Sequence, residues 1–296
     1  MKTSILAGLA VAVTLAGASR AAQAVGPLPA PPAARSFRVG TLTLVALRDA
    51  RFVARNDGKT FGIGVDPAQV ALVLRRAGAP ADEIYLDVGG LLVKEPGRLI
   101  LIDTGLGPAF RGALAASLAQ AGVTPAEITD VLITHTHADH VGGLVTATGS
   151  LAFPHATIRL SGAEWGWMRA HGDAALVRLI APQVRTFVPG ESVAPGVTAV
   201  GLTGHTPGHA GYEIVSGSDR LLDIGDTAHS AIISLARPAW TIEFDQDAAA
   251  GRASRIATLT RLARSHERVY APHFPFPGVG RIEADGEGFA WKPDPN

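Results

Sequence analysis

The chain contains no cysteine. That absence excludes disulfides, thiolate zinc ligands and a cysteine nucleophile, so stability has to come from packing and from metals held by oxygen and nitrogen donors. Excess charge is missing too: 26 Lys and Arg balance 26 Asp and Glu, and no block of like charge occurs. A neutral chain of this kind favours neither nucleic acid nor an anionic membrane surface as a partner. The amino-terminal apolar stretch, Ile5 to Ala16, is too short to span a bilayer comfortably. It follows the basic start Met1-Lys2 and precedes Ala22-Gln23-Ala24, the pattern of a secretory signal peptide cleaved after Ala24 rather than of a stable membrane anchor. On this reading residues 1–24 are a signal peptide, 25–35 a Pro/Ala-rich flexible leader and 36–296 one domain that works in the periplasm or outside the cell. Removing the signal leaves about 270 residues, enough for one large α/β domain with a sizeable core.

What the chain does have is concentrated in residues 134–143, T-H-T-H-A-D-H-V-G-G. His135, His137, Asp139 and His140 are metal-type ligands crowded into six consecutive positions. Neutral imidazole suits a borderline cation such as Zn²⁺ and a carboxylate suits the same ion or a harder one, so the cluster can serve one or two metals. The apolar, β-prone Ile128 to Ile133 reads as a buried strand delivering the ligands at its carboxyl end. Alternate residues of an extended segment point the same way, so His135 and His137 can hold one ion, while Asp139 and His140, beyond the bend, can reach a second. Such pairs activate water.

Further candidates recur at strand-to-loop edges. His205 lies in G-H-T-P-G-H after Val197 to Leu202, Asp226 follows Arg220 to Ile224 and Gly225, and His273 closes Arg268 to Pro272. Sites in α/β sheets collect at such strand termini. Hairpins are expected at Arg38 to Leu47 and Ile84 to Ile102, and helices at Pro67 to Ala77, Ala109 to Ala121, Gly162 to Ala170 and Asp247 to Ser265, interleaved with strands near Thr157, Thr198, Tyr212 and Leu221. That order fits sheets covered by helices.

The chain resembles the metallo-β-lactamase-fold hydrolase superfamily, whose order H-x-H-x-D-H, His, Asp, His is matched by His135, His137, Asp139, His140, His205, Asp226 and His273. The resemblance runs from about Leu42 to the C-terminus and includes L-I-D-T-G at Leu101 to Gly105, which implies that Asp103 would support a ligand. It implies a four-layer αβ/βα sandwich and two divalent ions, Zn²⁺ foremost. His135, His137 and His205 would hold the first and Asp139, His140 and His273 the second, with Asp226 and a hydroxide bridging them. Lactam-cleaving members generally lack the bridging carboxylate, which turns the expectation from β-lactamase toward lactonases, thioesterases and phosphodiesterases; the neutral charge disfavours the nuclease branch. The tail A-P-H-F-P-F-P-G-V-G-R-I from Ala271, with Ala236-Arg237-Pro238 and Trp240, is similar to the exported subgroup that includes methyl parathion hydrolases. The implied substrate is a small ester or lactone, or an organophosphate triester. A β-lactamase-like enzyme and a non-catalytic metal-binding protein of the same fold are the alternatives.

One departure concerns His229, three residues beyond Asp226, where lactonases of the quorum-quenching type carry a tyrosine. Asp139, Asp226 and His229 form the expected catalytic set; His229 can donate to a developing oxyanion or leaving group, or else serve as a hydrogen-bond partner of a ligand. His209 reads as support for a ligand, and His155, His171 and His266 as surface or capping residues. Trp165, Trp167, Trp240 and Phe274, with Phe276, are expected to wall an apolar substrate pocket. The sequence is compatible with a homodimer and does not decide it.

Overall fold

Runs of apolar residues with side chains pointing alternately to opposite faces require sheets covered on both sides. The computed structural model, which describes residues 25–295, meets that requirement with two sheets. The first part of the chain supplies β1 (Gly26–Pro29), β2 (Ala34–Val39), β3 (Leu42–Arg55), β4 (Phe61–Ile63), β5 (Glu83–Glu95), β6 (Arg98–Ile102), β7 (Asp130–Leu132), β8 (Thr157–Ser161) and β9 (Val184–Phe187). The second supplies β10 (Ser192–Ala194), β11 (Val197–Gly201), β12 (Ala210–Ser216), β13 (Asp219–Asp223), β14 (Thr241–Ile242), β15 (Arg268–Tyr270), β16 (Val279–Asp285) and β17 (Gly288–Pro293). One sheet has the order β1-β3-β5-β6-β7-β8-β9 with β2 also paired to β3; the other runs β10-β11-β12-β13-β15-β16-β17; β4 and β14 form a separate pair.

The helices are α1 (Pro67–Arg76), α2 (Leu114–Gln120), α3 (Ala138–Val141), α4 (Gly162–His171), α5 (Ala174–Ile180), α6 (Ile233–Ala236) and α7 (Ala248–Ser265). Period-two alternation sorts residues between cores. Leu44, Ala46, Leu91, Ile100 and Ile102 meet Val197, Tyr212, Ile214, Leu221 and Tyr270 between the two sheets. Val45, Leu47, Leu92 and Leu101 face outward onto Leu118 of α2, Met168 of α4 and Ile180 of α5. On the far side Leu222 and Val269 pack against Leu259 and Leu262 of α7 and Leu235 of α6. The order is helices, sheet, sheet, helices, the expected αβ/βα sandwich. Fully burying a Leu or Ile contributes roughly 1.5–3 kcal/mol, so these three cores dominate the stability.

Two expectations are corrected. Gly26–Pro29 is not a tether: it pairs antiparallel with Ala50–Val53 of β3, a tertiary contact that a Pro/Ala-rich composition does not announce. The helix expected over Ala109 to Ala121 is broken into a 3₁₀ turn at Pro108–Phe110 and α2, with Arg111 left-handed (φ 58°) between them. Asp49 lies behind that break. It sits at a register shift in the β3–β5 pairing, a bulge that redirects a side chain, and its carboxylate accepts Leu106 N–H (2.7 Å) and Leu114 N–H (2.9 Å).

Candidate metal centre

Parallel pairing of β6 with β7, β7 with β8, and β13 with β15 brings several strand carboxyl ends to one rim. The loop after β7 carries His135 to His140, the loop after β11 carries His205, the turn after β13 carries Asp226, and the segment after β15 carries His273. All seven expected ligands converge. His135 Nε2, His137 Nδ1 and His205 Nε2 form a triangle with sides of 3.1, 2.9 and 3.1 Å. Three ring nitrogens cannot all be satisfied by hydrogen bonds to one another in a triangle. Bonds of about 2.0–2.1 Å from one tetrahedral Zn²⁺ would put such nitrogens about 3.3 Å apart, so the triangle has the dimensions of one face of a ligand shell.

The second set faces Asp226 from the other side. Asp226 Oδ1 lies 3.2 Å from His140 Nε2 and 3.1 Å from His273 Nε2; Oδ2 lies 3.4 Å from His205 Nε2 and 3.6 Å from His135 Nε2 and also 3.2 Å from His273 Nε2. Asp139 Oδ2 stands 3.6 Å from His273 Nε2 and 3.7 Å from His140 Nε2. One carboxylate is thus divided between two ligand groups. Among the described residues His140 Nε2 and Asp226 Oδ1 are buried with no hydrogen bond, since their close approach lacks hydrogen-bond geometry. Orphaned donors and acceptors aimed at common points are what a pair of divalent cations resolves, so the residues present fit two such ions.

The electrostatics agree. Burial holds His135 and His205 well below the usual imidazole range and lowers His137 as well. Burial also opposes charge on His140, but Asp226, Asp139 and Asp103 outweigh it and raise its pKa well above the usual range. At His273 burial is likewise outweighed, by Asp226 and Asp139, and the pKa is pushed up to about 9. Burial would neutralise Asp226, yet His140, His273, His135 and His229 hold it well below the usual carboxylate range. The carboxylates therefore favour positive charge at the second set, where a divalent cation would take the place of protons.

The outward nitrogens are fixed by acceptors. His140 Nδ1 donates to Asp103 (2.7 Å), His273 Nδ1 to the Asp87 carbonyl (2.8 Å) and His205 Nδ1 to Asp245 (3.2 Å), itself paired with buried Arg255 at 3.2 Å. Each leaves Nε2 free to face the centre. His209 donates from Nδ1 to the Leu202 carbonyl (2.7 Å) and accepts the Asp226 N–H on Nε2 (3.0 Å), the supporting role expected of it. Gly225 permits that contact: it has φ 46°, and a Cβ there would lie 2.6 Å from His209 Nε2. Asp103 is found where expected, whereas Asp245, Arg255 and Glu164 were not singled out by the sequence.

Above the centre opens a mostly apolar cavity of about 400 Å³ lined by Pro27, Phe52, Leu86, Val88, Leu106, Phe110 and Phe244 and by the polar Glu243 and Gln246, with His137, Asp139, Asp226, His229 and His273 at its floor. The expected wall is corrected here, because none of Trp165, Trp167, Trp240 and Phe274 lines it. Trp165 packs on the outer core of the first sheet, Trp167 stacks on His171 at 3.8 Å, and Trp240 packs beside Phe61 and Val70. Phe274 follows a ligand but points the opposite way, edge-on to Trp291 at 4.9 Å in the α7 core. Phe276 packs against the core between the sheets, under the Arg48 guanidinium. His229 does reach the site: its Nε2 is 3.1 Å from Asp226 Oδ2, its ring stacks on His273 at 5.3 Å, and both its nitrogens lack hydrogen-bond partners among the described residues.

A family model described as the metallo-beta-lactamase superfamily matches residues 90–287. The chain belongs to the metallo-beta-lactamase superfamily. Among relatives in that superfamily, metallo-beta-lactamase domain-containing protein 1 of Xenopus laevis is 37% identical over 138 residues, 43% of this chain and 50% of that protein. A probable metallo-hydrolase of Mycobacterium bovis is 29% identical over 172 residues, 46% of this chain and 55% of that protein. The chain spans about half the length of these curated relatives. Solved structures match over more of the superfamily fold. AidC, a dizinc quorum-quenching lactonase in complex with a product, has a TM-score of 0.83 at 28% identity over 90% of this chain and 98% of that one. The hydrolase AbOPH of the beta lactamase superfamily has a TM-score of 0.79 at 26% identity over 93% and 99%.

Proposed function

We propose that the chain is a dinuclear metal-dependent hydrolase of uncharged, moderately apolar esters and lactones, with weaker action on phosphotriesters. The observation that carries this reading is Asp226, divided between two ligand sets on the floor of an apolar cavity. Two divalent cations in those sets would supply an activated water at neutral pH and an electrophile for a carbonyl or phosphoryl oxygen. His135, His137 and His205 would hold the first ion, Asp139, His140 and His273 the second, and Asp226 both. Phe52, Leu86, Val88 and Phe244 orient an apolar acyl group and exclude bulk water, which strengthens polar interactions at the floor. His229, on that floor without a hydrogen-bond partner among the described residues, is placed to donate a ring N–H to the oxygen that gains charge or to the leaving group. The likeness to a dizinc lactonase supports the lactone as substrate class.

We extend the proposal to export, on the signal-peptide pattern of residues 1–24, which lie outside the described residues. The substrate reading is tested with metal-replete protein and a panel of aryl esters and lactones, a phosphotriester, a penicillin and RNA at matched concentrations. Esters or lactones should give the highest kcat/KM. A penicillin in first place would overturn the argument from Asp226, and RNA in first place the argument from charge.

A further inference from the structure

Ser161 and Glu164 stand at the N-cap and third position of α4, the spacing of a capping box, and Ser161 Oγ accepts the Glu164 N–H at 3.1 Å. In that motif the glutamate reaches back to the cap. Here the carboxylate is turned into the rim of the metal centre. Its Oε1 accepts both the N–H (2.8 Å) and the hydroxyl (2.7 Å) of Thr136, which lies between His135 and His137. Its Oε2 accepts the hydroxyl of Thr206 (2.7 Å), next to His205, and the N–H of Gly208 (3.1 Å). All three ligands of the first set are therefore chain neighbours of groups held by one carboxylate, which is itself fully buried.

A second strap reinforces the first. Ser161 Oγ donates to the Gly208 carbonyl at 2.7 Å, and a Cβ on Gly208 would lie 2.1 Å from Glu164 N, so only glycine lets the turn approach α4 this closely. Asp103 holds the other ligand set directly and reaches the first only through Thr134: it accepts from Thr134 N–H (2.9 Å), Thr134 hydroxyl (2.7 Å) and His140 Nδ1, and the same hydroxyl lies 3.1 Å from His135 Nδ1. Each threonine of T-H-T-H is thus gripped by a different buried carboxylate. Glu164 makes no such bond to His140, Asp139 or His273, and it does not line the cavity.

We propose that Glu164 is a positioning residue that sets the affinity of the His135, His137 and His205 site for its metal, independently of the second site, by locking the Thr136 and Thr206 loops in one register. The inference rests on reading the cluster as a two-metal centre. Four charge-assisted hydrogen bonds make this register stiff, and a preset ligand triangle loses less freedom when an ion binds. Glu164→Gln keeps the shape but turns an amide NH₂ toward donors on one side, which splays the two loops.

The test is Zn²⁺ withdrawal from loaded protein by a chromogenic chelator, with thermal melts as a fold control. In a His273→Ala background, where the first site remains, Glu164→Gln should weaken zinc binding by about 10–100-fold, the range for partners of metal ligands. In a His205→Ala background, where the first site is disabled, the same change should alter affinity by less than about threefold. Equal weakening in both backgrounds, or none in the first, overturns the proposal, because a merely structural role does not choose between sites. Thr206→Val removes one of the four bonds and should show the same site preference at smaller size, so the question stands even if Glu164→Gln fails to fold. A wild-type chain that binds fewer than two ions overturns the two-metal reading itself, an outcome distinct from two ions with no effect of Glu164.

Discussion

Phe52→Ala probes the cavity wall directly. Phe52 sits beyond the bulge on β3, is half-buried, lines the cavity and meets Phe244 edge-on with ring centroids 6.2 Å apart. Full burial of a phenylalanine side chain contributes roughly 1.5–3 kcal/mol. Only one side of this ring is free to meet a substrate, so about half of that, near 1–1.5 kcal/mol, is available to an acyl chain; the aromatic pair, about 0.5–1.5 kcal/mol, belongs to stability instead. A loss of about 1.4 kcal/mol is about tenfold in kcat/KM. The contact exists in ground and transition states alike, so the change should fall on KM with kcat nearly constant. The assay is steady-state kinetics on one alcohol esterified with acyl groups from acetyl to octanoyl. Long chains should lose about tenfold and acetyl less than about twofold. The same factor along the whole series, or a fall confined to kcat, would refute the assignment of this wall.

His229→Ala should lower turnover by more than about tenfold, roughly 1.4 kcal/mol, with metal content unchanged; unchanged turnover makes His229 structural, and loss of zinc makes it a ligand. Asp49→Asn keeps one acceptor for the Leu106 and Leu114 N–H groups and opposes the other with an amide. Loss of a charged hydrogen bond costs about 1.5–3 kcal/mol, partly offset by relief of the burial that raises the Asp49 pKa, and a net cost of about 1–2 kcal/mol should appear as a lower denaturant midpoint. An unchanged midpoint contradicts the role given to Asp49. Intact-mass measurement of secreted protein should give a chain beginning at Val25; a full-length cytosolic product removes the export reading.

The ligand set was legible because its information is local. His135, His205, Asp226 and His273 each follow a short apolar strand, which makes them candidates for one rim of an α/β sheet, and the resemblance to the metallo-β-lactamase-fold superfamily supplied the full set and its division between two ions. The cavity wall was not legible for the opposite reason. Pro27, Phe52 and Phe244 come from three distant segments and meet only through the pairing of β1 with β3 and the packing of the loop before α7. Adjacency to a ligand misled for Phe274, since consecutive side chains diverge and His273 already occupies the inward direction. The leader at Gly26–Pro29 has the composition of a linker and becomes a strand only because β3 extends far enough to receive it. Glu164 resembles a routine helix cap in sequence, and nothing local reveals that its carboxylate turns toward Thr136 and Thr206.

The most direct test of the two-centre account is elemental analysis of purified mature protein after equilibration with excess Zn²⁺ and removal of the unbound ion, for the wild type and Asp226→Ala side by side. The wild type should hold two ions per chain, because seven donors form two triads and a shared carboxylate. Asp226→Ala, which deletes the group facing both triads, should retain about one. A wild type that holds one ion or none, or a variant that still holds two with unchanged affinity, contradicts it.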